Sequence, residues 1–440
     1  MSAFVHPDEI RSRFSAALSA MYRAEVPQYG DLLTLVADIN AQTLKADAGG
    51  ADRLAASGEL ARLSEERHGA IRVGTADELA TIARAFAVMG MEPVSYYNLA
   101  PAGVPVHSTA FRPVDPAALA RNPFRVFTSL LRLELIEDEA LRAEAAETLA
   151  RRDIFTPGAR ELIETAEAAG GLDEAQADRF VSGLLETFRW HAQATVSAET
   201  YERLVAAHRL IADVVSFKGP HINHLTPRTL DIDAAQAAMP ERGITPKETI
   251  EGPPARACPI LLRQTSFKAL QEAITFPGAD GPTAGAHTAR FGEIEQRGCA
   301  LTPAGRALYD AALASKDFSA LPDDWDALRR GDLAWFRYRA TPEGLAGRAE
   351  TADLDALIAA GHVVAEPITY EDFLPVSAAG IFQSNLGSEA RAAAYAVDPA
   401  KADFEAALGR SVQDEMALYR AEQEASIAAT LKALGLTVPV

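Results

Sequence analysis

"RHGAIRVGTADELATIARAFAVMG", residues 67–90, is the stretch on which the fold turns. Ile71 and Val73 alternate with smaller or polar neighbours, as on a strand, and Gly74 closes the run. Thr75 then opens a helix. A Thr at the N-cap with Glu78 three residues on is a capping box, and Gly90 supplies the stop. "PVSYYNLA" and "VPVHSTAFRPV" follow as β-like segments, giving the order β-α-β-β. His68 and Arg72 lie four apart on the strand, hence on one face, with Cα atoms about 13 Å apart. The Arg72 side chain covers roughly half of that gap. The remaining space fits a short dicarboxylate, one end chelating a metal at His68 and the other paired with the Arg72 fork, which suits bidentate carboxylate binding. The competing reading pairs Arg72 with a surface acid.

Working outward, residues 7–47 show helical spacing, broken into two helices by Pro27 and Gly30. Residues 114–212 are dominated by Ala, Leu, Glu and Arg and read as an all-helical insertion of about four helices. The β-α order then returns. "INHLTPRTLDI" is strand-like, "DAAQAAMPERG" helix-like, and "ACPILLRQTSFKAL" and "TARFGEIEQRG" strand-like again, with residues 277–288 as a Gly-rich loop between them. Residues 303–360 and the C-terminus read as helical. The recurring unit is a strand carrying His, then a helix, then further strands, once near 68 and once near 224. Two copies are expected to form a sheet system around a shared cleft. The division is one elaborated domain over 1–440: helices at 1–66, a first β-α-β unit at 67–113, the insertion at 114–212, a second unit at 213–300, and C-terminal helices with a pocket-closing segment at 301–440. The fold class is α+β.

The bulk numbers exclude several functions. Hydrophobic residues are 48% and charged residues 23% of the 440, ordinary for a globular protein. A net charge of −19 argues against a nucleic-acid surface but leaves room for a small anion on one buried Arg. Cys258 and Cys299 are the only cysteines, so a zinc ribbon or disulfide framework is not expected. No signal core and no long apolar run occurs, and the reading is a soluble cytoplasmic protein with no membrane partner. HExxH, GxxxxGK[ST] and GxSxG are absent, and neither cysteine has a nucleophile signature.

The chemistry therefore rests on histidines and carboxylates. Two imidazoles and one carboxylate suit non-haem Fe(II), leaving positions for substrate and oxygen. "FKGPHINHLTPRTLDID", residues 217–233, holds His221 and His224. Three apart on an extended chain they face opposite sides, so one ligand and one structural histidine are expected. Prolines 220 and 227 disfavour a helix there. In "RFGEIEQRG", residues 290–298, Glu293 and Glu295 stand in a strand, where buried Glu is rare. Alternation puts both on one face and does not choose between them; solvated carboxylates on an edge strand are the other reading. His6, His191 and His208 read as surface or capping residues, His287 and His362 as structural or exposed, and His107 stays a candidate.

"RHGAIRVGT", "FKGPHINHLTPRTLDID", "ARFGEIEQRG" and "FLPVSAAGIFQSN" together resemble the 2-oxoadipate dioxygenase/decarboxylase family, also called hydroxyglutarate synthases, which is distantly similar to the vicinal-oxygen-chelate proteins. The resemblance implies duplicated vicinal-oxygen-chelate-like β-α-β-β units around a metal site. It implies Fe(2+) held by His68, His224 and Glu293, with substrate contacts from Arg72 and the backbone of Val376. It implies oxidative decarboxylation of 2-oxoadipate by O2 to 2-hydroxyglutarate and CO2, within lysine breakdown. Two other functions share the scaffold: a glyoxalase-type metal-dependent isomerase or lyase, and a non-enzymatic small-acid-binding protein.

Overall fold

The computed structural model describes residues 4–56, 58–65, 67–279, 281–347, 351–374 and 400–436. The Thr75 capping box forms as its residues require. Thr75 Oγ1 accepts from the Glu78 amide at 3.2 Å, while Glu78 Oε2 accepts from the Gly74 and Thr75 amides at 2.6 and 3.3 Å. The helix that follows, Ala76–Val88, buries Leu79, Ile82, Ala83 and Phe86. The strand before it, β1 (Arg67–Val73), turns Ile71 and Val73 into the same apolar core. The class is mixed α+β.

The chain folds into two compact units: residues 1–251, 264–296 and 373–412 form one, and 252–263, 297–372 and 413–440 the other. The first carries a five-stranded sheet. Its strands are β1, β2 (Glu92–Asn98), β3 (Val106–Arg112), β4 (Arg125–Leu131) and β5 (Leu225–Pro227), in the order β2-β3-β4-β1-β5. β1 runs parallel to β4 and antiparallel to β5. Two helices, α1 (Pro7–Glu25) and α2 (Pro27–Ala46), pack into its core through Phe14, Leu18, Tyr22, Tyr29 and Leu32. They break at Pro27, which starts α2; Gly30 lies inside it.

β4 corrects the all-helical reading of 114–212. Every residue of Arg125–Leu131 is buried, and the strand pairs on both sides. Val126, Phe127 and Thr128 are aromatic or β-branched, and Pro123 disfavours a helical Asn122. A short apolar run buried on both faces lacks the alternation that marks a strand, so it reads like a buried helix segment. Helices at Glu139–Ala150, Pro157–Ala169, Glu174–Leu185, Ala198–Ala207 and Arg209–Val215 account for most of the remaining stretch.

The Gly-rich loop is also corrected. Thr283–Thr288 forms β8, antiparallel to β7 (Gln271–Phe276). Gly and Ala carry little strand propensity, but here they make room: a Cβ on Gly285 would stand 2.3 Å from the Phe276 ring. β6 (Leu262–Ser266) pairs with β9 (Glu293–Arg297) in a separate two-stranded ladder.

The second unit contains a hairpin of β10 (Phe336–Ala340) and β11 (Val363–Pro367), so residues 303–360 are not purely helical as read. The helix Glu415–Ala433 covers it. Gln423 Oε1 and Ser426 Oγ accept from the Phe336 and Tyr338 amides, and Thr430 Oγ1 donates to the Tyr338 carbonyl. Among the described residues, no helix is long and apolar enough to cross a membrane.

Gly69 decides how closely β5 approaches β1. A Cβ there would lie 2.6 Å from Ile222 Cδ1 and 3.1 Å from the His224 carbonyl oxygen. Only a hydrogen lets the 222–225 segment close over β1. Gly69→Ala is expected to destabilise the protein by about 1–3 kcal/mol, read as a lower urea midpoint, and to loosen metal retention measured by chelator competition.

Candidate metal centre

Three short segments meet at one end of the sheet. His68 is the second residue of β1. His224 directly precedes β5, and the Asn223 amide donates to the Ala70 carbonyl at 3.0 Å, which fixes its height against β1. Glu293 opens β9. The Phe291 amide donates to the Asn223 carbonyl at 3.1 Å, so the segment bearing His224 is tied to the segment bearing Glu293. The buried Tyr22 hydroxyl from α1 braces that junction, 3.0 Å from the Asn223 carbonyl and 2.7 Å from that of Phe291.

Ligand atoms of His68, His224 and Glu293 lie within 4.8 Å of one another, and all three residues are buried. Glu293 Oε2 is the point of convergence. It stands 3.2 Å from His68 Nε2 and 3.6 Å from His224 Nε2. It also accepts from Thr226 Oγ1 and Gln264 Nε2, both at 3.0 Å. Among the described residues, neither nitrogen of His224 has a hydrogen-bond partner, although the residue is fully buried. An orphaned imidazole aimed at a buried carboxylate is costly unless a cation joins them. This donor set of two nitrogens and one oxygen fits a borderline divalent metal. The rings are walled by aromatics, Phe373 at 4.9 Å from the His68 ring and Phe291 at 4.7 Å from that of His224.

Glu295 occupies a different place. Its Oε2 lies 2.9 Å from His68 Nδ1, the ring nitrogen opposite the convergence point, at an angle poorer than a good hydrogen bond. β5 continues into contact with it: Arg228 bridges to Glu295 in the backbone pairing, and the Thr229 amide donates to the Glu295 carbonyl at 2.7 Å. A carboxylate behind a ligand imidazole biases the ring to present its other nitrogen. Burial penalises the His68 imidazolium, yet Glu295 and Glu293 outweigh it and raise the pKa of the ring. His224 goes the other way, held well below the usual range by burial, then by the charges of His68 and Arg72. The two imidazoles are thus unequal, shifted in opposite directions.

Arg72, on the same strand as His68, is paired with an acid. Its Nη1 is 2.8 Å from Asp213 Oδ2. That acid is buried, not on the surface. His221 does not join His224; its Nε2 lies 3.2 Å from Asp213 Oδ1. His287, expected as a loop residue, is buried on β8 and contacts the same oxygen at 2.9 Å. His6 and His208 cap helices, each accepting a backbone amide. His107 lies on β3 beside Tyr96 and Phe404, outside both clusters. Val376 lies outside the described residues. Burial pushes the Cys258 thiol up to about 11 and that of Cys299 higher still, so neither supplies a thiolate nucleophile. Thr226, Gln264 and Tyr22 were not singled out by the sequence. Only Thr226 had a local signal, two residues beyond His224 in the same extended segment.

Two imidazoles and one carboxylate converging on a mixed α+β scaffold define a candidate centre of the two-histidine-one-carboxylate class. Comparison with known proteins narrows that class. The profile of the 2-oxoadipate dioxygenase/decarboxylase family matches residues 14–385. The chain is 59% identical to the 2-oxoadipate dioxygenase/decarboxylase of Escherichia coli K12, over 97% of this chain and 98% of that one. It is 57% identical to the protein of that name from Pseudomonas putida KT2440, over 98% of each. It superposes with a TM-score of 0.90 and 55% identity on the crystal structure of the Pseudomonas putida hydroxyglutarate synthase in complex with 2-oxoadipate, covering 99% of this chain and 100% of that one. The chain belongs to the 2-oxoadipate dioxygenase/decarboxylase family, as its four motifs led us to expect.

The two glutamates are separable by experiment. Glu293→Gln is expected to abolish metal retention. Glu295→Gln is expected to keep the metal but weaken it about 10- to 100-fold, both read by elemental analysis after graded chelator.

Proposed function

We propose that this chain converts 2-oxoadipate and O2 to 2-hydroxyglutarate and CO2 at an Fe(II) ion held by His68, His224 and Glu293. The observation that carries the reading is the buried meeting of those three side chains, with no hydrogen-bond partner for His224 among the described residues. Fe(II) there would supply chelation of the 2-oxo acid and activation of O2, with positions open for both. One oxygen atom enters the new carboxylate, the other becomes the hydroxyl, and CO2 carries away the original carboxyl carbon.

The protein's own groups prepare and aim that chemistry. Thr226 and Gln264 hold Glu293 by hydrogen bonds, so its carboxylate is fixed before metal arrives. Glu295 behind His68 biases that ring to offer Nε2. Phe373 and Phe291 exclude water around the two imidazoles, which protects reactive species from side reactions. Arg72, four residues along β1 from His68, holds the far carboxylate of the substrate and so measures chain length. A monocarboxylate of equal length would bring no charged acceptor to Arg72, and a hydrophobic contact does not replace that interaction. Val376 contributes a backbone contact to substrate on the strength of the family motif alone. The stretches 67–113 and 213–300 are, on this reading, two divergent vicinal-oxygen-chelate-like units; the first carries its ligand histidine on its first strand and the second directly before its first strand.

Anaerobically purified protein given Fe(II), 2-oxoadipate and then O2 is expected to consume oxygen, release CO2 and form 2-hydroxyglutarate in equal amounts. An iron-loaded protein that consumes no oxygen with any 2-oxo diacid defeats the reading. Arg72→Ala is expected to lower kcat/KM for 2-oxoadipate by about 10²–10³-fold while iron content stays unchanged; equal loss of iron and turnover would make Arg72 a fold residue.

A further inference from the structure

The first histidine of the HxxH pair belongs to a second buried cluster that the metal centre does not use. Asp213, on the helix Arg209–Val215, is its hub. Asp213 Oδ1 takes His287 Nε2 at 2.9 Å and His221 Nε2 at 3.2 Å, and Oδ2 takes Arg72 Nη1 at 2.8 Å. The cluster is braced further out. The Tyr201 hydroxyl lies 2.8 Å from His287 Nδ1, and the Trp190 ring lies nearly parallel to His287 and edge-on to His221. Three cationic or proton-donating side chains from three separate elements thus converge on one carboxylate.

Such an assembly is more than a buried acid needs. Burial alone would push a carboxyl upward, but His221, His287 and Arg72 together hold Asp213 well below its usual range. It is a full negative charge with a fixed position. The arginine it grips is the one whose field reaches His224 at the metal centre. An arginine side chain is long and flexible, and ordering it on each binding event costs affinity. An arginine anchored on a fixed carboxylate keeps its guanidinium plane in a set orientation for an incoming carboxylate.

We infer that Asp213 is a positioning residue for substrate selection: with His221 and His287 as its supports, it aims the Arg72 guanidinium at the distal carboxylate of the 2-oxo diacid. This rests on the role given to Arg72 above. The cluster sets diacid affinity and chain-end recognition, and leaves the oxidative step to the metal centre.

The test is a double-mutant cycle on the iron-loaded full chain: wild type, Asp213→Asn, Arg72→Ala and the pair. Each is assayed with 2-oxoadipate and with 2-oxohexanoate, which has the same chain but no distal carboxylate, as substrate or competitive inhibitor. Asp213→Asn is expected to raise KM for 2-oxoadipate by about tenfold or more, to change kcat by less than about threefold, and to leave 2-oxohexanoate binding and iron content unchanged. In the Arg72→Ala background the Asp213 effect is expected to vanish. Equal effects on the two acids, or independent effects in the double variant, overturn the inference. So does a second metal equivalent per chain that Asp213→Asn removes, because it would make Asp213, His221 and His287 a metal site. If Asp213→Asn does not fold, His287→Gln, which leaves Asp213 and Arg72 in place, is expected to raise the 2-oxoadipate KM severalfold with the same selectivity; an unchanged or unselective result overturns the inference. Wild type silent on 2-oxoadipate defeats the function and this inference together, whereas active wild type with an unaltered Asp213 variant defeats the inference alone.

Discussion

A carboxylate at 1% exposure must be compensated, and the first compact unit is arranged around doing that for Glu293. A lone ionised carboxylate in a protein interior is prohibitively unfavourable. Glu293 meets the cost with two neutral donors, Thr226 and Gln264, and two imidazoles. The donors satisfy one oxygen without neutralising it. A divalent cation would balance the charge that remains. A metal held there would make metal binding and local stability one linked property.

The same constraint accounts for local choices that otherwise look arbitrary. His68, His224 and Glu293 come from segments separated by more than a hundred and fifty residues and then by about seventy, a span read directly from their numbers. Bringing them within ligand distance requires backbone to pass close to backbone. Gly69 allows that on β1, the Asn223 and Phe291 pairing allows it between the other two segments, and Tyr22 reaches from α1 to the carbonyls on both. Glu295 then falls behind His68 rather than beside Glu293's contacts. Two glutamates on one face of one strand end up with different roles because a single imidazole has two nitrogens pointing in opposite directions.

Much of this was legible in the sequence, and the failures have physical causes. The β1-helix junction was readable because a capping box and an alternating strand are local signals. The separation of His221 from His224 followed from extended-chain geometry, and the structure sends the two to different clusters. β4 was missed because a strand buried on both faces carries no alternation, and its neighbours are helices. β8 was missed because its small residues serve the Phe276 ring rather than strand propensity. Asp213 and His287 could not be paired in advance. Nothing local links a helix residue to a strand residue more than seventy positions away, and only the fold places both on Arg72's side of the site. The choice of Glu293 over Glu295 came from family resemblance; periodicity alone left them equal.

The most direct measurement is a crystal structure of the iron-loaded protein with anomalous data collected on both sides of the iron absorption edge. The account requires one strong iron peak per chain, bonded at about 2.1 Å to Nε2 of His68, Nε2 of His224 and a carboxylate oxygen of Glu293, with Glu295 on the far nitrogen of His68. A peak that lacks His224, or one seated instead among Asp213, His221 and His287, would contradict it.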